Sequence, residues 1–211
     1  MKPKLIIFDY DGVIMNSFDF IKKAYDNIAE EYQIDKPNNQ EYYLDFFELD
    51  WRNTLKKWGI ADKNEIDRVV KIYYDTYDKL NNTITPYDGI TEVIKKVSEE
   101  YCTAIVSNTY RKVILAKLME FKLEKFFDLI LGIEDGDFKP SPDLLIKCMG
   151  KLNYEPQDTV FIGDMDGDII AGKAAKVKKI IAVTYGFHTL RRLKGADIIV
   201  NSPSEIIKAV R

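Results

Sequence analysis

The sequence predicts an α/β protein, a doubly wound parallel sheet with an inserted all-helical cap subdomain. Three observations predict it. From Pro86 onward, short apolar runs of strand length alternate with helical patterns, the signature of βαβ crossovers. One more such run lies far upstream, and the intervening tract from Ser17 to Asn81 carries helical periodicity with no aliphatic strand. Several of the runs end on polar residues, as strands do at the reactive rim of an open parallel sheet. The expected division is a core of residues 1–16 and 83–211 with a cap of residues 17–82.

The first strand is expected at Lys4 to Phe8, an unbroken apolar run suited to burial on both faces. Ser17 can cap a helix whose apolar positions Phe18, Ile21, Tyr25, Ile28, Ala29 and Tyr32 follow three-four spacing. A second helix is expected to open at Asn39, to carry Tyr43, Phe46, Phe47, Trp51, Leu55 and Trp58, and to stop at Gly59. Asp62 opens the third, with Ile66, Val69, Val70, Tyr73, Tyr74, Tyr77 and Leu80 on its buried face. Further strands are expected at Thr103 to Val106, Leu129 to Leu131, Thr159 to Ile162, Ile180 to Val183 and Asp197 to Val200. Helices are expected near Ile90 to Glu100, Arg111 to Phe121, Pro142 to Leu152, Asp168 to Ala175 and Pro203 to Val210. The last begins with a capping box at Ser202 and Glu205 and with proline at its first position.

Composition narrows the function. A chain of 211 residues, 46% apolar and 31% charged, can bury one sizeable core with a small accessory unit. A net charge of only −3, with both signs interspersed, implies no broad basic face, so neither nucleic acid nor membrane is an expected partner. Lys176, Lys178, Lys179, Arg191, Arg192 and Lys194 read as solvated faces. Cys102 and Cys148 have no metal-ligand spacing, read as core residues and fit a reducing cytosol. The first apolar run is interrupted by Asp9 and Asp11, which argues against a signal peptide, and a cytoplasmic location is expected. His188, the single histidine, falls in the loop behind the fifth strand and reads as a surface-loop residue.

The chemistry begins with Asp9 and Asp11, one residue apart at a strand end. One carboxylate can attack phosphorus to give an acyl phosphate, and the other can protonate the leaving oxygen and then deprotonate water. Gly12 lets the chain turn sharply away. A calcium loop does not fit, because its sixth and twelfth positions would be Ile14 and Phe20. Gly163, Asp164, Met165, Asp166, Gly167 and Asp168 form a second acidic cluster at a strand end, and it fails the same test at Ile169 and Ala175. Beside Asp9, these carboxylates suit a hard, octahedral, oxygen-liganded cation, which describes magnesium; Asp164 is the preferred ligand, and Asp166 a helix N-terminal acid. Ser107 and Asn108 end another strand, where a hydroxyl and helix-start amides can hold phosphate oxygens or simply cap the helix. Lys139, in the rigid loop Lys139-Pro140-Ser141-Pro142, can neutralise both Asp9 and a phosphate.

Taken in order, these residues resemble the haloacid dehalogenase superfamily, and most closely its phosphoglycolate-phosphatase-like branch with a helical cap. The DxDG motif matches Asp9 to Gly12, the strand-end hydroxyl matches Ser107, the lysine matches Lys139, and GDxxxD matches Gly163, Asp164 and Asp168. Asn16 stands where an aspartate is common, and Lys176 where a glycine often follows paired alanines. The resemblance implies Asp9 as nucleophile, Asp11 as acid/base, and Mg2+ held by Asp9, the main-chain carbonyl of Asp11, and Asp164, with Asp168 in support. It implies a magnesium-dependent phosphomonoesterase acting on a small soluble phosphate ester, phosphoglycolate-like or a sugar phosphate, as a monomer or homodimer. A phosphomutase or pyrophosphatase would share every motif residue, and a non-catalytic phosphate or protein binder would keep the fold. Specificity is then expected in the cap, where Arg52 can meet a substrate carboxylate or lie on an exposed face with Lys56.

Overall fold

A computed structural model describes residues 3–36, 43, 47–48 and 50–211. Six parallel strands form the central sheet: β1 (Leu5–Phe8), β4 (Cys102–Val106), β5 (Leu129–Leu131), β6 (Thr159–Gly163), β7 (Lys179–Val183) and β8 (Ile198–Val200). Their spatial order is β5-β4-β1-β6-β7-β8, so the chain reverses its direction of winding at β1. Ligand crevices of open α/β sheets form at such a switch point, beyond the carboxyl ends of the strands. Register fixes which residues meet there: Phe8 sits opposite Ile105 and Ile162, so the chain leaves β1, β4 and β6 at one level.

Both faces of the sheet are covered, which explains why the strands read as continuous apolar runs. Ile6, Phe8, Ile105, Val160, Ile162, Ile181 and Val183 pack with α4 (Ile90–Ser98), α5 (Arg111–Glu120) and α9 (Pro203–Ala209). Leu5, Ile7, Ala104, Val106 and Phe161 face the other way, onto α6 (Asp143–Leu152) and α7 (Asp166–Ala174). Gly172 of α7 marks a close approach of helix to sheet: a Cβ there would lie 2.9 Å from Ile180. The helix starts two residues earlier than its apolar pattern implies, because the Asp168 carboxylate accepts from the Met165 amide and closes the first turn.

Between β1 and β4 the chain leaves the sheet layer and returns through a two-strand antiparallel ladder, β2 (Met15–Asn16) with β3 (Thr85–Pro86). The excursion contains α1 (Phe18–Glu31), α2 (Trp51–Lys57) and α3 (Lys63–Leu80). Asp62 caps α3 through the amides of Asn64 and Glu65, as expected. The second helix differs from expectation. Phe47 and Glu48 are not helical, and α2 begins only at Trp51, where the Asp50 carboxylate accepts from the Arg52 amide. That cap starts a new helix inside a tract whose apolar spacing reads as continuous; the expected opening at Asn39 and the position of Phe46 lie outside the described residues. Val69 is the one apolar residue of the expected α3 face that is fully buried; Ile66, Val70, Tyr73, Tyr74, Tyr77 and Leu80 are half-buried. This helix presents much of that face to a cavity.

Other caps also depart from the sequence reading. The Ser17 hydroxyl makes no cap and turns instead to Asp11. Ser202 donates to the Glu205 carboxylate at 3.0 Å, so the reciprocal capping box does not form, although Pro203 holds the first position. Lys176 has φ +58°, the left-handed conformation that glycine adopts without strain. Cys148 is buried and Cys102 half-buried, both free thiols. Among the described residues, no helix is long and apolar enough to cross a membrane.

Candidate active site

The carboxyl ends of β1, β4 and β6 bring together Asp9, Asp11, Ser107, Lys139, Asp164 and Asp168. Asp9 follows β1, and its amide donates to Ile162 O at 2.8 Å, which ties it to β6. Its Oδ1 accepts from the Tyr10 amide at 2.7 Å and lies 2.8 Å from Lys139 Nζ. Lys139 is fully buried and also donates to Asp168 Oδ1 at 2.7 Å. Burial alone would lower the lysine pKa, but the Asp168 and Asp9 carboxylates outweigh it and keep the ammonium charged. Asn108 holds this loop from the β4 side: its side chain accepts from Lys139 N and donates to Lys139 O, each at 2.9 Å. Asn108 thus positions the lysine backbone.

Asp168 is saturated. While Oδ1 receives Lys139, Oδ2 accepts from the amides of Asp164 at 3.2 Å and Met165 at 3.0 Å. Asp164 is different. Its Oδ2 accepts from the Phe187 amide at 2.7 Å, but Oδ1 is buried and receives no hydrogen bond from any described residue. A buried carboxylate oxygen without a donor calls for an explanation, and a cation is the usual one. Oxygens of Asp9, Asp164 and Asp168 lie within 4.8 Å of one another. Burial pushes the Asp9 carboxyl up to about 7, with Asp168 adding to the rise and Lys139 opposing it. Burial, then Asp168 and Asp9, hold Asp164 well above the usual carboxylate range. Such a cluster, short of positive charge, fits a divalent cation.

The turn after β1 is built around that cluster. Gly12 has φ +78°, and a Cβ on it would lie 2.1 Å from Asp164 Oδ2. Gly186 faces the same carboxylate from the loop after β7, where a Cβ would lie 2.4 Å from Asp164 Oδ2. Both positions exclude a side chain by space as well as by conformation at Gly12. Asp11 points elsewhere. Its Oδ1 accepts from Ser17 Oγ and its Oδ2 from Thr109 Oγ1, both at 2.6 Å. Burial raises the Asp11 pKa, and these two hydroxyls moderate the rise. Thr109 was not singled out in the sequence; its signal is a hydroxyl two residues past Ser107, whose own Oγ accepts from the Thr109 amide at 3.0 Å.

Three polar residues have partners that spacing along the chain does not show. His188 is buried: Nδ1 accepts from the Asp166 amide at 3.0 Å, so the ring proton sits on Nε2 and donates to Phe47 O at 2.9 Å. Asp166 does more than complement the helix dipole, since its carboxylate receives Arg192 at 2.6 Å. Arg192, far from being solvated, also donates to Phe47 O and Glu48. Arg52 lies over the Phe138 ring, 4.3 Å from its centroid, and pairs with Asp50 at 3.0 Å.

Above Asp9, Asp11, Ser107 and Thr109 opens a cavity of about 250 Å³, walled chiefly by aromatic and aliphatic side chains of α1, α2 and α3. Arg52 is not in its lining.

The family model for haloacid dehalogenase-like hydrolases matches residues 6–182. The chain is 28% identical over 187 residues to the pyrophosphatase PpaX of Halalkalibacterium halodurans, covering 86% of this chain and 84% of that protein. Its fold matches a phosphatase assigned by prediction from Clostridium acetobutylicum, with TM-score 0.87, 25% identity, and 100% and 99% of the two chains covered. It also matches a provisionally assigned phosphoglycolate phosphatase from Lactobacillus delbrueckii subsp. bulgaricus, with TM-score 0.82, 25% identity and the same coverage. The chain belongs to the haloacid dehalogenase-like hydrolase family, as an enzyme of the phosphatase type.

Proposed function

We propose that the protein is a magnesium-dependent phosphomonoesterase that works through an aspartyl-phosphate on Asp9, with residues 17–82 as a cap over the site. The observation that carries this reading is the division of labour between two carboxyl groups at one strand end. Asp9 lies against Lys139 at 2.8 Å, while Asp11 is turned away onto Ser17 and Thr109. Groups one residue apart thus have different partners, as separate nucleophile and acid/base roles require.

In the first step an oxygen of the Asp9 carboxylate attacks phosphorus, the P–O ester bond breaks, and Asp11 gives its proton to the departing alkoxide. Water then attacks the phosphorus of the acyl phosphate, Asp11 takes its proton, and the P–O bond to Asp9 breaks to free phosphate. Lys139 holds Asp9 and offsets the phosphate charge, Asp168 fixes Lys139, and the Ser107 hydroxyl with the Asn108 main-chain amide would meet the phosphate oxygens, the Asn108 side chain being taken by the Lys139 backbone. Mg2+ would be held by Asp9, the main-chain carbonyl of Asp11 and Asp164, the residue with the unmet buried oxygen, and supplies charge neutralisation between carboxylates and phosphate.

Relatives named pyrophosphatase favour a second reading, hydrolysis of a phosphoanhydride on the same residues. Asp9→Asn tests the shared chemistry. Turnover should fall more than about a hundredfold with the fold intact, and Asp11→Asn should accumulate phosphoenzyme detectable by mass spectrometry. An Asp9→Asn enzyme with near-normal turnover would rule the mechanism out.

A further inference from the structure

Resting on that reading, we propose that the alcohol half of the substrate is apolar and ring-bearing, and carries neither a carboxylate nor a second phosphate. The cavity above the carboxylates decides it. Its walls include Phe47, Trp51, Tyr74, Tyr77, Tyr110 and Phe187, contributed by both the helical tract and the sheet layer. The charged side chains in the described lining are Asp9, Asp11 and Glu48, all acidic.

A substrate carboxylate or second phosphate would enter this space beside Glu48, whose own carboxylate already takes the nearest cations, Lys57 at 2.6 Å and Arg192 at 3.3 Å, neither of which is in the lining. Burying an anion so poorly compensated is strongly unfavourable, whereas a ring against aromatic walls gains by desolvation and by edge contacts. Arg52, the cation best suited to a carboxylate, is committed to Asp50 and the Phe138 face. The volume, about 250 Å³, admits a phosphate with a single ring above it. The chemistry is unchanged: the P–O ester bond breaks, the alcohol leaves with the proton from Asp11, and phosphate follows from water.

The test separates binding from turnover. Calorimetry in Mg2+ compares benzylphosphonate, phosphonoacetate and methylphosphonate, which cannot be hydrolysed at the P–C bond. Benzylphosphonate should bind at least tenfold tighter than methylphosphonate, and phosphonoacetate no tighter than methylphosphonate. A ring preference below tenfold, or tightest binding by phosphonoacetate, overturns the proposal. Val70→Arg, at a half-buried lining position, should bring phosphonoacetate up at least tenfold, and no gain in a folded variant counts against it. In turnover, kcat/KM for benzyl phosphate should exceed those for 2-phosphoglycolate and pyrophosphate at least tenfold, and the reverse order overturns the proposal. Asp9→Asn hydrolysing benzyl phosphate at the wild-type rate would instead defeat the aspartyl-phosphate reading, leaving the binding result to stand by itself.

Discussion

Asp168→Asn isolates the pair that holds Lys139 in place. Both side chains are fully buried and 2.7 Å apart, and Asp168 also accepts two main-chain amides. Asparagine keeps the shape and one acceptor for those amides, but it removes the negative charge facing the ammonium. Breaking one side of a buried ion pair costs about 3–5 kcal/mol, because the remaining charge stays desolvated. Asp9, still 2.8 Å from Nζ, compensates in part, so about 3 kcal/mol is the expected loss. At roughly 2–4 °C per kcal/mol for a chain of this size, the metal-free melting temperature should fall by about 6–12 °C. Urea and thermal unfolding followed by circular dichroism read this directly. Lys139→Met removes the orphaned charge, so the double variant should lose at least about 1 kcal/mol less than the sum of the two singles. A single variant within about 1 kcal/mol of wild type, or strictly additive losses, would refute the buried-pair argument.

Gly12→Ala should lose about 2 kcal/mol or more, since it combines φ +78° with a Cβ 2.1 Å from Asp164 Oδ2, and unfolding midpoints report it. Lys176→Gly should gain about 1 kcal/mol, raising the melting temperature by about 2–4 °C, because glycine adopts its left-handed backbone without the Cβ penalty. Burial chiefly, and Arg192 next, lower the His188 pKa below 6.5 against the pull of its Phe47 bond. The unfolded chain therefore takes up a proton that the native one refuses: this contribution is fully present above about pH 6.5 and is lost as pH falls through the lower native value. His188→Gln should flatten that acid-side fall in stability, and an unchanged slope would show that the ring does not titrate on unfolding.

The sheet, and the polar residues gathered at its rim, can be read from the chain alone. Strands buried on both faces need unbroken apolar runs, so their positions were legible almost to the residue, as at Leu129–Leu131. Asp9, Ser107 and Asp164 were legible because a parallel sheet delivers the residue after each strand to the same rim. Local chemistry also marked Asp62 as the cap of α3. Tertiary structure decided whatever depends on a distant partner. Asp50 divides the tract before α2 although the apolar spacing runs on, and Ser17 abandons its cap because Asp11 lies within 2.6 Å. His188 and Arg192 look like loop polarity until Phe47 O approaches to accept from both. Spacing along a chain encodes which faces are apolar, but the burial of a polar side chain depends on whether a partner, remote in sequence, arrives with the matching donor or acceptor.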